Sequence, residues 1–356
     1  MNTSKGDKRT LVTGAGGAVG HFLIEELLSA GHKVVALDLP NRHIPRKEGV
    51  EVIEGDICND KVIKQAVEGV QAIVHAAAIV DISLPFEKLA PVNYEATKKL
   101  YQKAKERGVE YFLFFSTGSA YPGGPKPMAE DTPLVIANDY VRSKVLAEEF
   151  LKSQSPPPVV NILRPALIYG PWGRVLAASL ATTPSLLKVF GGHAVLLNGG
   201  PKSNWVHAED VARAACFLVE NQQPHGEAFN VAGDEPISVM DVFAVGFETG
   251  SIKVHRLPLT YPVALLRVLM PFLARDIVLR PLNKAASLIY NLIALSKGTK
   301  SPLRPRLDKE AFEFAVKDMV FDNTKLKQLG FQYKFPNFKE GWKHTYAWYK
   351  ENRWIP

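Results

Sequence analysis

The chain has 356 residues, 46% of them hydrophobic and 22% charged, with a net charge of +7. This composition excludes a disordered chain and leaves room for one large α/β unit with an appended lobe, or for two domains. Two distant cysteines, Cys58 and Cys216, lack partners at metal-ligand spacing, which excludes a disulfide framework and a zinc motif and suits a reducing compartment.

The N-terminal stretch "MNTSKGDKRTLVTGAGG" is polar and then enters a strand pattern, without the apolar core of a secretory signal, so a cytoplasmic protein is expected. "RTLVTGAGGAVGHFLIEELLSAGHKVVALDL" then reads as a strand, a glycine-rich turn, an amphipathic helix stopped at Gly31, and a second strand ending in Asp38. That is one βαβ unit. Gly14, Gly17 and Gly20 are spaced to make a tight turn and bring backbone close to a pyrophosphate at a helix N-terminus. Asp38, about 20 residues on, is placed to bind ribose hydroxyls and repel a 2′-phosphate. NAD is therefore favoured, and Arg42 keeps NADP open.

The alternation continues with strands at "VEVIEGDI", "AIVHAAA", "YFLFFST" and "VVNILRP" and helical patterns at 60–68, 93–107 and 140–153. Strands alternating with helices predict a doubly wound parallel sheet, with active residues at the carboxyl ends of the strands. Four Tyr-x-x-x-Lys pairs occur: Tyr94/Lys98, Tyr101/Lys105, Tyr140/Lys144 and Tyr346/Lys350. Each shares one helix face, and three have ordinary surface or packing explanations. Only Tyr140/Lys144 follows a strand end carrying clustered hydroxyls, Ser116, Thr117 and Ser119. A hydroxyl, a tyrosine and a lysine beside a nicotinamide form a hydride-transfer set. The lysine ammonium, with the cationic nicotinamide, lowers the phenol from about 10 toward working pH.

The ordered set "TGAGGAVG", Asp38, "GDI" (55–57), "HAAA" (75–78), "NYEAT" (93–97), "STGSAY" (116–121), "YVRSK", "LRPALIYGP" (163–171), "NWVHAEDVARA" (204–214) and "FNVAGDEPIS" (229–238) resembles the extended short-chain dehydrogenase/reductase superfamily. That superfamily includes nucleotide-sugar epimerases, dehydratases and 3β-hydroxysteroid dehydrogenases. The resemblance implies a Rossmann-type sheet with a smaller, discontinuous C-terminal substrate lobe, Tyr140 as acid/base, Lys144 as ribose and pKa partner, and Thr117 as the third member, with Ser116 the second choice. It also implies cofactor contacts from Gly14, Gly16, Gly17, Ala18, Val19, Gly20, Asp56, Ile57, Ala76, Ala77, Ala78, Pro165, Ala166, Leu167 and Ile168. Asn93 and His75 read as structural. Thr117-Gly118 departs from the Ser-Ser common in such enzymes. Homodimers are frequent in the family, pairing through helices like 93–107 and 140–153.

The expected division places the cofactor domain at 1–171, with 204–232 returning to it, and the substrate lobe at 172–203 and 233–356. Segment 251–306 holds ten basic residues against one acid, Asp276, between apolar runs too short to span a bilayer. It fits either an interfacial element on anionic lipid or a helical roof over the substrate pocket, and both can hold together. Basic residues alternating with Leu and Ile argue against a nucleic-acid partner. The expectation is an NAD(P)-dependent alcohol/ketone oxidoreductase on a lipophilic, sterol-like substrate, or alternatively a nucleotide-sugar epimerase or dehydratase. A non-catalytic dinucleotide sensor would not need the Tyr/Lys/Thr trio.

Overall fold

The computed structural model describes residues 8–174, 176–300, 303–305 and 314–356. The polar stretch 1–7 and positions 175, 301, 302 and 306–313 of the segments read above lie outside the described residues. The first half runs β1 (Arg9–Thr13), α1 (Ala18–Ser29), β2 (Lys33–Asp38), β3 (Val50–Glu54), α2 (Asp60–Ala66), β4 (Ala72–His75), α3 (Phe86–Ala90), α4 (Ala96–Glu106), β5 (Tyr111–Phe115), β6 (Gly124–Met128), α5 (Asp139–Lys152) and β7 (Val159–Pro165). The second half runs β8 (Leu167–Tyr169), α6 (Leu176–Val189), β9 (His193–Asn198), β10 (Lys202–Ser203), β11 (Trp205–His207), α7 (Ala208–Glu220), β12 (Ala228–Val231), β13 (Ile237–Ser238), α8 (Val239–Thr249) and β14 (Lys253–Thr260). It closes with α9 (Val263–Leu273), α10 (Asp276–Ser296), β15 (Met319–Phe321), α11 (Thr324–Gln328) and α12 (Phe338–Glu351).

Seven strands form one parallel sheet in the order β12-β7-β5-β4-β1-β2-β3. The near-continuous apolar strands are buried on both faces, as a parallel sheet requires. Val12, Val34, Val74 and Leu113 point into one layer with α1 and α7, while Leu11, Val35, Ile73 and Phe112 point into the other with α2, α4 and α5. This is the Rossmann-type doubly wound sheet. Its switch point falls between β1 and β4, where the ligand crevice of such sheets lies.

A second core gathers Tyr169, Trp205, Phe338, Trp342, Tyr346, Tyr349 and Trp354 with α6 and α8. The aromatic C-terminal helix α12 thus docks by packing. Two features escaped the sequence reading. The Pro/Gly-rich loop after β5 contains β6, which pairs with β15, and segment 251–306 opens with the eight-residue strand β14, paired with β9. Both pairings are long-range, so the pairing partner rather than local alternation makes them strands.

Candidate active site

The glycine turn between β1 and α1 is cut for close approach. Gly14 has φ +74° and gives its amide to Leu37 O at 3.0 Å. A side chain there would meet Ala77 N at 2.9 Å and the Ala76 backbone, so the turn and the strand end at Ala76–Ala78 can meet only with glycine. Thr13 ties them further, its Oγ1 accepting from Ala77 N at 3.2 Å. Asp38 faces the same turn, with Oδ2 accepting from Gly16 N at 2.8 Å and Oδ1 from Leu39 N. Gly16, Gly17, Ala18, Val19 and Gly20 thus ring the N-terminus of α1, next to Asp38 and Ala76 to Ala78. Asp56 and Ile57 follow β3 after Gly55, Asp56 accepting from Cys58 N.

This arrangement fits NAD. The start of α1 presents backbone N–H groups of the kind that hold a pyrophosphate, and Asp38 places a carboxylate where it could accept from ribose hydroxyls. Replacing Asp38 with Ala is expected to raise the dissociation constant for NAD by about tenfold or more, the loss of a charge-assisted hydrogen bond, and to change that for NADP less. Fluorescence titration with both cofactors checks it, and an unchanged ratio would assign selectivity to Arg42 or another group.

At the other end of the crevice, α5 starts with Asn138 as its cap, Oδ1 accepting from Val141 N at 2.9 Å. The cap fixes Tyr140 in the first turn and Lys144 one turn on. Tyr140 is buried in a cluster with Leu89, Val141, Val145 and Ala120, and Ala120 belongs to the short 3₁₀ turn that Thr117 caps. The tyrosine and the Thr117 strand end therefore share one packing unit. Thr117 Oγ1 accepts from Ser119 N at 3.2 Å, while Ser116 Oγ is buried without a partner among the described residues.

Lys144 is buried, its ammonium 4.2 Å from the centre of the Phe114 ring. Burial pulls it down to about 7, with the Glu148 charge one turn away opposing. The remaining tyrosine–lysine pairs are put to other uses. Lys98 binds Glu95 over the Tyr94 ring, Tyr101 packs edge-on against Phe112 and Phe150 while Lys105 reaches Ser155 O, and Tyr346 lies in the lobe core while Lys350 bonds Pro356 O.

Two framework residues sit beneath this site. Asn93 donates to Ile79 O and Ser143 Oγ and accepts from Ile79 N, and Ser143 Oγ donates to Tyr140 O. The strand end after β4 is thereby fastened to the tyrosine helix. His75 is fully buried between Thr13 Oγ1 (2.7 Å) and Thr97 Oγ1 (2.8 Å). Burial holds it down to about 3, and burial does the same to His207.

Both histidines fold neutral and titrate near 6.5 when unfolded. Between pH 6.5 and 3 the unfolded chain binds more protons, so their contribution is present above pH 6.5 and lost as pH falls through that window. The melting temperature is expected to drop steadily from pH 6.5 to 4. A flat profile would contradict neutral burial.

The sequence reading missed Glu148 and Arg164. Arg164, near the carboxyl end of β7, grips Glu148 with Nη2 at 2.5 Å from Oε1 and Nε at 3.3 Å from Oε2, and donates to Tyr121 Oη and Glu130 O. Burial pushes Glu148 up, but Arg164 and Lys152 outweigh it and hold the carboxyl below its ordinary range. The pair joins α5 to β7 and, through Tyr121, to the chain after Thr117. The signal was present: an arginine inside the largely apolar strand "VVNILRP", whose one other polar residue is Asn161, demands a buried anion.

Beyond Arg164, Pro165 and Ala166 turn into β8, with Ala166 N bonding Val231 O and Leu167 and Ile168 pairing Trp205 and Val206. Gly118 sits against this turn. A side chain on it would fall 2.8 Å from Pro165 O and 2.6 Å from the Phe321 ring, which gives the Thr117-Gly118 departure a steric reason.

A dinucleotide crevice with a tyrosine, a lysine and strand-end hydroxyls at its far end defines an oxidoreductase-type enzyme of the short-chain dehydrogenase/reductase kind. Residues 10–232 match the model of the NAD dependent epimerase/dehydratase family. The chain belongs to that family and is an NAD-dependent enzyme.

It is 31% identical over 252 residues to a 3 beta-hydroxysteroid dehydrogenase/Delta 5-->4-isomerase of Mycobacterium tuberculosis (strain H37Rv), covering 65% of this chain and 67% of that one. It is 30% identical over 254 residues to human dTDP-D-glucose 4,6-dehydratase, covering 66% and 72%. Among solved structures, a UDP-glucose 4-epimerase of Thermus thermophilus in complex with NAD aligns over 96% of this chain and 99% of that one, with a TM-score of 0.69 and 22% identity. The last likeness is one of fold.

Proposed function

We propose that the protein interconverts a secondary alcohol and a ketone on a lipophilic substrate of the 3β-hydroxysteroid or sterol type. In this reading Tyr140 is the acid/base, Lys144 its partner and Thr117 the hydroxyl that holds the substrate oxygen, with Ser116 beside it. NAD bound in the crevice would supply the acceptor for the hydride of the carbinol carbon. Tyr140 as phenolate takes the hydroxyl proton, so the alcohol loses one hydride and one proton to become the ketone. A protonated Lys144 favours that phenolate, and Asn93 and Ser143 hold the helix turn that carries it. Glycine-turn residues with Asp38, Asp56, Ile57 and Ala76 to Ala78 would hold the adenosine and pyrophosphate side, and Pro165 to Ile168 the nicotinamide side.

The substrate would be held by a lobe at 172–203 and 233–356. The observation that carries a lipophilic substrate lies there. Residues 172–200 include only two full charges, Arg174 and Lys188, and the Arg174 guanidinium is stacked 4.1 Å over Trp354. A nucleotide diphosphate calls for cations lining its site, and the basic residues of the lobe are concentrated later, from 251 onward. The likeness to the mycobacterial hydroxysteroid dehydrogenase supports the same substrate class.

The likeness to the human dehydratase supports the second reading, a nucleotide-sugar epimerase or dehydratase in which hydride returns to the substrate. Turnover with NAD, comparing sterol-like alcohols with UDP- and dTDP-sugars, separates them. Net NADH accumulation with the alcohols supports the dehydrogenase, and sugar conversion without it overturns that reading. The same proposal makes the protein a homodimer paired through α4 and α5, in peripheral contact with a membrane through 251–306.

A further inference from the structure

The helices α9 and α10 break the rule that an apolar helix face finds a partner. Along α10, Leu279, Tyr290 and Ala294 face inward and are buried, while Ile277, Leu288, Leu292 and Leu295 project from the opposite side and are between 63% and 81% exposed. A helix apolar on both sides is fully enclosed or meets a second apolar phase. Helix α9 goes further: Leu265, Val268, Leu269, Phe272 and Leu273 are all exposed, and none of its described residues is buried.

The exposed surface also extends outside 251–306. Helix α10 packs on α6, whose end carries exposed Val189 and Phe190. The chain then enters β9, which pairs with β14 and exposes Val195 beside Leu257 and Leu259. Strand β14 leads through Tyr261 and Pro262 straight into α9. So much exposed apolar surface, on elements that pack on one another or follow directly in the chain, marks an interaction site.

Charge selects the occupant. From 261 to 300 the chain carries Arg267, Arg275, Arg280, Lys284, Lys297 and Lys300 against a single acid, Asp276. A second copy would bring these cations against each other, whereas a sheet of anionic headgroups over acyl chains complements both the charge and the apolar faces. No helix among the described residues is long and apolar enough to cross a membrane, which fits helices lying in the surface.

Deepening the membrane contact of the proposed function, and resting on that reading, we infer that α9, the outer side of α10 and the outer side of the β9–β14 ribbon form one docking face for an anionic lipid bilayer.

Flotation of the full chain with phosphatidylcholine vesicles, with and without phosphatidylglycerol, tests this. Binding is expected only to the anionic vesicles, weakening with salt, and the triple variant Leu288→Glu, Leu292→Glu, Leu295→Glu is expected to bind about tenfold less. NAD affinity and circular dichroism should be unchanged, since those side chains point away from the fold. Three results would overturn the assignment: no flotation of the natural chain, undiminished flotation of the triple variant, or self-association that the substitutions abolish in a chain that does not float. A chain that floats but oxidises no sterol-like alcohol loses the substrate reading and keeps the docking face. One that oxidises the alcohol without floating does the reverse.

Discussion

Replacing Tyr140 with Phe is expected to lower turnover by about 10²- to 10⁴-fold, the range that a positioned acid/base contributes, while NAD affinity stays within about twofold. The phenol ring belongs to the buried cluster that joins α5 to the 3₁₀ turn at Ala120, and phenylalanine keeps that ring. The variant therefore removes the proposed proton-transfer atom and leaves the packing in place. Steady-state kinetics with calorimetric NAD titration reads both quantities. Retained turnover would move the acid/base to one of the strand-end hydroxyls, Ser116 or Thr117.

Replacing Arg164 with Met is expected to destabilise the fold by about 3–5 kcal/mol, the cost of leaving a buried carboxylate without its main partner. Among the described residues, only Lys152, itself partly exposed, would remain in an ion pair with Glu148. The double variant Glu148→Met, Arg164→Met should recover most of that loss, because two apolar side chains of similar length can fill the space without stranded charge. Urea unfolding of the single and double variants measures the coupling. Equal losses in both would mean that Arg164 matters for its shape rather than for its charge.

How much of this was legible beforehand depends on the range of the interaction. The parallel sheet, the glycine turn and the position of Asp38 rest on local periodicity and spacing, and each appears where the residues imply it. Among four tyrosine–lysine pairs, position at a strand end separated Tyr140/Lys144 from the others. The structure shows why spacing alone could not, since Tyr101 has a core to fill and Lys98 a glutamate to bind. Strands β6 and β14 were not legible because their partners are distant in sequence. The Glu148–Arg164 pair was half visible, as a cation in an apolar strand whose anion lay on another element. The basic apolar segment was visible as composition, but the outward side of α10 and its continuation onto β9 needed coordinates.

Gly118 constrains how this enzyme's chemistry could be re-engineered. With Pro165 O on one side and Phe321 on the other, position 118 admits no hydroxyl, so importing a consecutive serine pair at 117 and 118 would wedge the β7–β8 turn away from the tyrosine helix. Libraries aimed at new substrates should vary 116, 117 and 119 and hold 118 fixed, because shortening Phe321 would still leave the backbone oxygen of Pro165 in the way.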